Sequence, residues 1–408
     1  MTRRHTIAIA YDCLFPYTTG GGERQYRSFA TWLAQRGNRV DYLTSRQWEG
    51  EPQPAAFRIV PIVGKLQLYD RDGVRRTSAA LRYAAALFWA LLGRRRQYEA
   101  VIVSGLPILN VFAARAALIG SGTKIVVDYL EVWGRRQWRD YAGAITGSVA
   151  WALQRAGIAL TPIATAHSQL SARRLRAEGF RRRILVSPGL IDIDSPSTSS
   201  GTELSAAATP PFVLYAGRHI PDKRVDVLPA AVAKARETVS DLRLIILGDG
   251  PSSPDVDAAI TASSAAEWTS RPGFVAQDVL DELMSSAAVL VNPSRREGYG
   301  LVVVEAAAHG TPTVLVADEG NASTELIDQG ANGIVADSTD PADLGDAIVR
   351  AVSAGPKLRE STRAWYDTAI QTRTVEKTVD AILDAVRSSG SHRTDAPRPG
   401  ARRNEGPQ

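Results

Sequence analysis

Residues 291–312, VNPSRREGYGLVVVEAAAHGTP, decide how the chain is read. The apolar run just before, 287–291, reads as a strand that ends in a Pro-Ser turn. A glycine-bracketed loop then carries Glu297, and a helix opening near Leu301 carries Glu305 eight residues on. This spacing predicts one carboxylate in a loop and the other about one turn into a helix, both at the same mouth. A helix start offers unpaired N–H groups and roughly half a unit of positive charge. Such an end holds phosphate well. Two fixed carboxylates beside a phosphate cradle imply a site for a sugar diphosphate, with carboxylates on hydroxyls and amides on charge.

The same alternation extends in both directions. Strands are expected at 212–216, 242–247, 289–291, 313–316 and 333–336, with helices around 225–238, 278–286 and 302–309. The first half shows strands at 6–11, 40–44, 58–61, 100–104, 124–128 and 184–186, and helices at 24–35, 78–92, 108–119 and 168–177. Strand, helix, strand in sequence implies an α/β fold with parallel sheets covered on both faces. The expected division is a first Rossmann-like domain at 1–195, a Ser/Pro-rich linker at 196–211 and a second Rossmann-like domain at 212–355. Helices at 341–352 and 356–387 close the chain, the last of them a candidate for crossing back to the first domain. The Gly-, Pro- and Arg-rich residues 388–408 read as a disordered tail. In open α/β sheets ligands sit beyond the carboxyl ends of the strands, so two such domains frame a cleft.

Composition narrows the classes. A chain of 408 residues with 44% hydrophobic content buries a large core. The single Cys13 excludes an internal disulfide and fits a reducing, cytoplasmic compartment. No leader is read at the start, and the most apolar stretch, 79–92, holds Arg82 and falls short of the roughly 20 residues that span a bilayer. The net charge of +5 is uneven: residues 1–195 hold 28 Lys+Arg against 14 Asp+Glu, a balance of +14, and the remainder carries −9. Arg94–Arg96 and Arg181–Arg183 concentrate that excess. With Leu87-Phe88-Trp89 nearby, the first domain is expected to touch an anionic membrane surface peripherally, on its inner face.

Further motifs fall at strand ends. Gly20-Gly21-Gly22-Glu23-Arg24 follows the first strand after a loop and lets backbone approach a ligand closely. It lacks the dinucleotide fingerprint, which would follow the strand at once. Arg218 and Lys223 follow the first strand of the second domain, where fixed cations would stabilise a departing diphosphate. Gly248-Asp249-Gly250-Pro251 ends the next strand, Gly273-Phe274-Val275 could border a nucleobase, and Gly320 and Glu325 flank another edge loop. Asp192-Ile193-Asp194 and Asp255-Val256-Asp257 do not sit at strand ends in a metal-site context, and the five histidines show no ligand spacing. No metal is expected.

Taken together, these residues resemble the retaining glycosyltransferases of family 4, with the GT-B fold, over nearly the whole chain to about Arg387. Glu297 and Glu305 match that family's E-x7-E motif, Arg218 and Lys223 its basic pair, and Gly21 and Gly22 its glycine loop. The resemblance implies transfer from a nucleotide sugar, UDP- or GDP-linked, with retained configuration and without metal or cofactor. By the same resemblance Glu297 acts beside the anomeric carbon with Arg218 and Lys223. Glu305 binds ribose hydroxyls, and Gly298, Gly300, Leu301, Val302, Gly248 and Phe274 complete the donor site. Many members carry a His after a first-domain strand; here that stretch reads Val127-Asp128-Tyr129-Leu130-Glu131, so Asp128 or Glu131 is the acceptor-side candidate. The expected partners are the nucleotide sugar and a glycan, lipid-linked or small-molecule acceptor, not nucleic acid. A nucleotide-sugar 2-epimerase of the same fold and a non-catalytic basic binding module are the alternatives; the paired carboxylates argue against the latter.

Overall fold

The computed structural model describes residues 5–18, 20–68, 75–192 and 210–391. The first half runs β1 (Thr6–Ala10), α1 (Gly21–Gln35), β2 (Arg39–Ser45), β3 (Arg58–Val63), α2 (Thr77–Gly93), β4 (Ala100–Ser104) and α3 (Leu109–Ala117). It continues through β5 (Lys124–Tyr129), α4 (Arg135–Ala142), α5 (Ala144–Leu160), β6 (Ile163–Ala166), α6 (Gln169–Ala177) and β7 (Ile184–Val186). All seven strands pair in parallel, in the order β3-β2-β1-β4-β5-β6-β7. Unbroken apolar runs fill its centre: every residue of β4 is buried, as a strand covered on both faces requires. In α1, Tyr26, Phe29, Ala30 and Leu33 recur at helical spacing and face that sheet.

The second half runs β8 (Phe212–Ala216), α7 (Leu228–Arg236), β9 (Arg243–Leu247), α8 (Ser253–Ala262), β10 (Thr269–Gly273), α9 (Gln277–Ser286) and β11 (Val289–Asn292). Then come β12 (Arg296–Glu297), α10 (Leu301–Ala308), β13 (Thr313–Val316), β14 (Gly320–Asn321), β15 (Gly333–Ala336), α11 (Pro341–Ala369) and α12 (Val375–Ser391). Six strands make a second parallel sheet in the order β10-β9-β8-β11-β13-β15, and β12 pairs with β14 beside it. The strand order reverses between β1 and β4 in one sheet and between β8 and β11 in the other. These are the switch points at which open α/β sheets bind ligands.

The closing helices differ from the sequence reading. One helix was expected over 356–387, but α11 runs on from Pro341, kinks at Gly355 (φ 54°) before Pro356, and ends at Ala369. The chain then crosses to the first domain, where Arg373 and Val375 bond the backbone of Ile191. Val375, Val379, Ile382 and Leu383 of α12 lie in the first domain's core. The expected tail begins inside the last turn of α12; 392–408 and most of the expected linker lie outside the described residues.

Candidate active site

Glu297 is fixed by its backbone first. The two-residue ladder of β12 on β14 pairs Arg296 with Gly320 and Glu297 with Asn321. A side chain on Gly320 would meet the Arg295 carbonyl at 2.6 Å, so glycine lets the strands close. The Glu297 Oε1 atom accepts from Asn292 Nδ2 at 3.1 Å, from the end of β11, and from Lys223 Nζ. Lys223 ends a 3-10 turn, Pro221–Lys223, whose neighbours are clamped on both sides. Asp222 pairs with Arg295 at 2.8 Å and Arg296 at 3.1 Å, and Arg224, in the left-handed region, donates to Pro293 O at 2.8 Å. Both chemical groups thus stand at the β8/β11 switch point.

Glu305 projects from α10 while Val303, Val304 and Ala306–Ala308 are buried. The helix opens because Gly300 adopts φ 99°, in a place where a Cβ would lie 2.4 Å from Ser323. Its first amides, those of Leu301 and Val302 among them, have no intrahelical acceptor, and the Leu301 side chain lies beside the first domain's glycine loop. There a Cβ on Gly21 would touch the Leu301 side chain at 3.4 Å, and one on Gly22 would press on Tyr11 and Leu130. Arg24, three residues into α1, donates from Nη1 to Glu305 Oε1 at 2.6 Å and from Nη2 to Gln277 at 3.4 Å. Burial pushes the Glu305 carboxyl above its ordinary 4.5, and the charge and hydrogen bond of Arg24 only partly oppose this.

The other edge is built by interlocked strand ends. Gly248 (φ 102°) would place a Cβ 2.0 Å from Gly217 O, and Gly250 one 2.3 Å from His219 O, so the turns after β8 and β9 touch through backbone. Arg218 stands exposed at the end of β8, near the buried Tyr215 hydroxyl, which bonds the Arg218 carbonyl at 3.1 Å. Phe274, 71% exposed, follows β10 at this rim, where Gly248 N donates to Gly273 O at 2.9 Å.

From the first domain, Gly298 would press a Cβ to 2.4 Å of Leu130 O and 3.0 Å of the Glu131 side chain. Glu131 therefore faces the Glu297 loop. It accepts from Trp133 Nε1 at 2.6 Å, and Arg296 lies over the Trp133 ring at 4.1 Å. Burial raises the Glu131 carboxyl above its ordinary 4.5 and Glu297 adds to this, against the pull of Trp133, Arg296 and Lys223. Asp128 requires a correction. It is wholly buried, bonded by Gln25 at 2.9 Å, Tyr26 at 2.8 Å, His167 at 2.8 Å and Thr165. Every lone pair is spent inside the first domain, so it cannot face an acceptor. In the D-x-D stretches, Asp257 on α8 pairs with Arg271 at 2.9 Å, and Asp192 accepts from Ser28.

Sequence reasoning assigned no role to Arg24, although it follows the glycine loop directly. It also missed Asn292 and Trp133, and it placed Glu325 only at the flank of an edge loop. The last crosses the gap: its carboxylate accepts from the Gln169 and Leu170 amides at 2.7 and 2.8 Å, the exposed donors that open α6.

Two Rossmann-like sheets facing across this site define the GT-B fold, and the comparisons agree. Residues 20–189 match a model described as "Glycosyl transferase 4-like domain", and residues 210–354 one described as "Glycosyl transferases group 1". The chain belongs to the glycosyltransferases. It is 33% identical over 150 residues to alpha-D-kanosaminyltransferase of Streptomyces kanamyceticus, covering 37% of this chain and 38% of that protein. That match therefore spans about two fifths of the relative. Sucrose-phosphate synthase from Thermosynechococcus elongatus superposes with a TM-score of 0.75 at 18% identity, over 95% of this chain and 100% of that one. Anabaena HepE in complex with UDP-glucose gives 0.68 at 17%, over 94% and 100%. At these identities the superpositions speak for the fold alone.

Proposed function

We propose that the chain transfers a glycosyl group from a nucleotide-diphosphate sugar, with retained anomeric configuration and without a metal. The observation that carries this is the meeting of the Lys223–Glu297 pair, Glu305 and the opening of α10 at one switch point. Each carboxylate has a cation: Lys223 on Glu297, Arg24 on Glu305. A donor would exchange these partners. Its ribose hydroxyls would bond Glu305, its diphosphate would take Lys223, Arg218 and the α10 amides, and its sugar would lie against Glu297. Phe274 and Gly248 would border the base.

The step we assign is a front-face displacement. The anomeric carbon's bond to the phosphate oxygen breaks, the acceptor oxygen bonds the same face, and the acceptor proton passes to the leaving phosphate. Lys223, Arg218 and the amides stabilise the charge that gathers there. No separate base is needed, and Glu131 serves as an acceptor-side contact. The acceptor is a glycan, a lipid-linked sugar or a small polyol, and the buried lone Cys13 suits a reducing cytoplasm.

The test is to incubate purified protein with a panel of UDP- and GDP-sugars and acceptors in the presence of a chelator. Anomeric configuration is then read by proton NMR. Retained product supports the reading; inverted product, or dependence on added metal, overturns it. Epimer formed from donor alone would favour the 2-epimerase.

A further inference from the structure

Among the described residues nine large apolar side chains are exposed, and seven of them lie on one side of the first domain. They belong to α2, the end of α3 and α5, and α3 packs against both other helices. On α5, Ile145, Val149, Leu153 and Leu160 fall within about 80° of arc at roughly 100° per residue. Gly147, Gln154, Gly157 and Ile158 are buried on the other side, so this helix is apolar outward as well as inward. On α2, Leu81, Ala85 and Trp89 share an outward row while Tyr83, Leu87 and Leu91 are buried. The sequence expectation centred on Leu87-Phe88-Trp89 is thereby refined: Leu87 is core, whereas Trp89 is 68% exposed. Ile119, 70% exposed, stands at the end of α3. A soluble surface rarely gathers so many apolar side chains without a partner.

The charge around this face selects the partner. Residues 75–160 hold twelve Lys+Arg and four Asp+Glu. Of the four acids, Asp128 is buried, Glu131 faces the cleft and Glu99 bonds His5, which leaves Asp140 exposed. Arg82 flanks the α2 row, and Arg95 is bonded to the Ile119 carbonyl at 2.7 Å, next to exposed Arg96. A two-fold dimer on this face would set arginine against arginine with little acid to neutralise it. An anionic bilayer supplies what both features want: apolar depth for Trp89, Ile145 and Val149, and headgroup charge for the arginines.

We infer that the α2–α3–α5 face of the first domain docks flat on an anionic lipid surface. The face also adjoins the cleft. Gly143 joins α5 to α4, whose Trp138 packs on Trp133, the ring under Arg296. A membrane-borne acceptor would thus meet the first-domain side of the site. That last consequence rests on the transferase reading; the docking does not.

The experiment is vesicle flotation of the full chain, with phosphatidylcholine alone or mixed with phosphatidylglycerol. The protein should float with the anionic vesicles and remain below with the neutral ones. The triple variant Trp89→Ser, Ile145→Ser, Val149→Ser should lose about ten-fold or more in vesicle affinity. Arg95→Ser and Arg96→Ser should each cost roughly five-fold. These side chains are exposed, so melting and nucleotide binding should match the parent protein. Wild-type protein that stays below with anionic vesicles overturns the inference, as do variants that float like the parent. A dimer in sedimentation that the triple variant dissociates would assign the face to a second copy instead. Absence of sugar transfer would leave the flotation result standing, so the two readings fail separately.

Discussion

Replacing Glu305 by Gln separates its role in binding from its role in the fold. The side chain is isosteric, so α10 keeps its shape. In the parent protein burial raises the carboxyl above its unfolded value near 4.5. A carboxyl raised on folding contributes stability that is complete below that value and lost as pH climbs through the folded one. At neutral pH the ionised Glu305 is therefore a net cost, offset in part by Arg24 at 2.6 Å. Gln removes the charge but leaves Arg24, a third exposed, beside a neutral amide that still accepts a hydrogen bond. The expected change in unfolding free energy is within about 1 kcal/mol, and the stability profile should flatten between pH 4.5 and neutrality. Binding should respond differently. A charged acceptor on ribose hydroxyls is worth about 1.5–3 kcal/mol, so nucleotide affinity should fall roughly 10- to 150-fold. Calorimetric titration with the nucleoside diphosphate, alongside urea melts across pH, reads both. Unchanged affinity in a folded Glu305→Gln protein would refute the assignment.

Other sites give independent expectations. Lys223→Ala should lower kcat about 10²–10³-fold with the fold intact, and Glu297→Ala should remove most turnover, both measured by product formation. Arg24→Met leaves Glu305 without its cation; unfolding free energy should drop by about 1–3 kcal/mol and the deficit should shrink when nucleotide is added, as thermal melts would show. Gly248→Ala forces a Cβ to 2.0 Å of Gly217 O at φ 102°, and should cost about 2–4 kcal/mol in denaturant melts. Burial pushes Asp128 up, but His167, Thr165 and Tyr26 outweigh it and hold the carboxyl below its ordinary 3.8. Its stabilisation is present above about pH 4 and lost as pH falls through the folded value. Asp128→Asn should therefore cost about 3 kcal/mol near neutrality and flatten the acid limb of the unfolding curve, leaving turnover per folded molecule unchanged.

Local pattern carried the parts of the fold that depend on neighbours in sequence. Continuous apolar runs such as AVIVS and FVLYA announced buried parallel strands, and the E-x7-E spacing announced a loop and a helix turn together. Four strands escaped, of which β12 and β14 are ladders of only two residues. β10 reads TSRPG, polar with a proline, because it lies at the edge of its sheet where one side has no ladder to complete. β6 is four residues of IATA, too short to show a period. Helices α4 and α5 were also missed, since α5 is apolar on both faces and so shows no amphipathic stripe. Contacts between domains left no local trace: Arg24 and Glu305 are 281 positions apart, and Glu325 reaches α6 across 155 or more. Asp128 was ambiguous because a carboxylate at a strand's end looks the same in sequence whether it faces a ligand or a buried histidine.

The most direct measurement is calorimetric titration of UDP and GDP into the full chain in excess chelator, repeated with Lys223→Ala. One-to-one binding of at least one nucleotide without metal is expected, weakened by about two orders of magnitude when the lysine is removed. Failure of both nucleotides to bind, or equal affinity in the variant, would contradict the claim that paired acids and paired bases at this switch point grip an activated sugar.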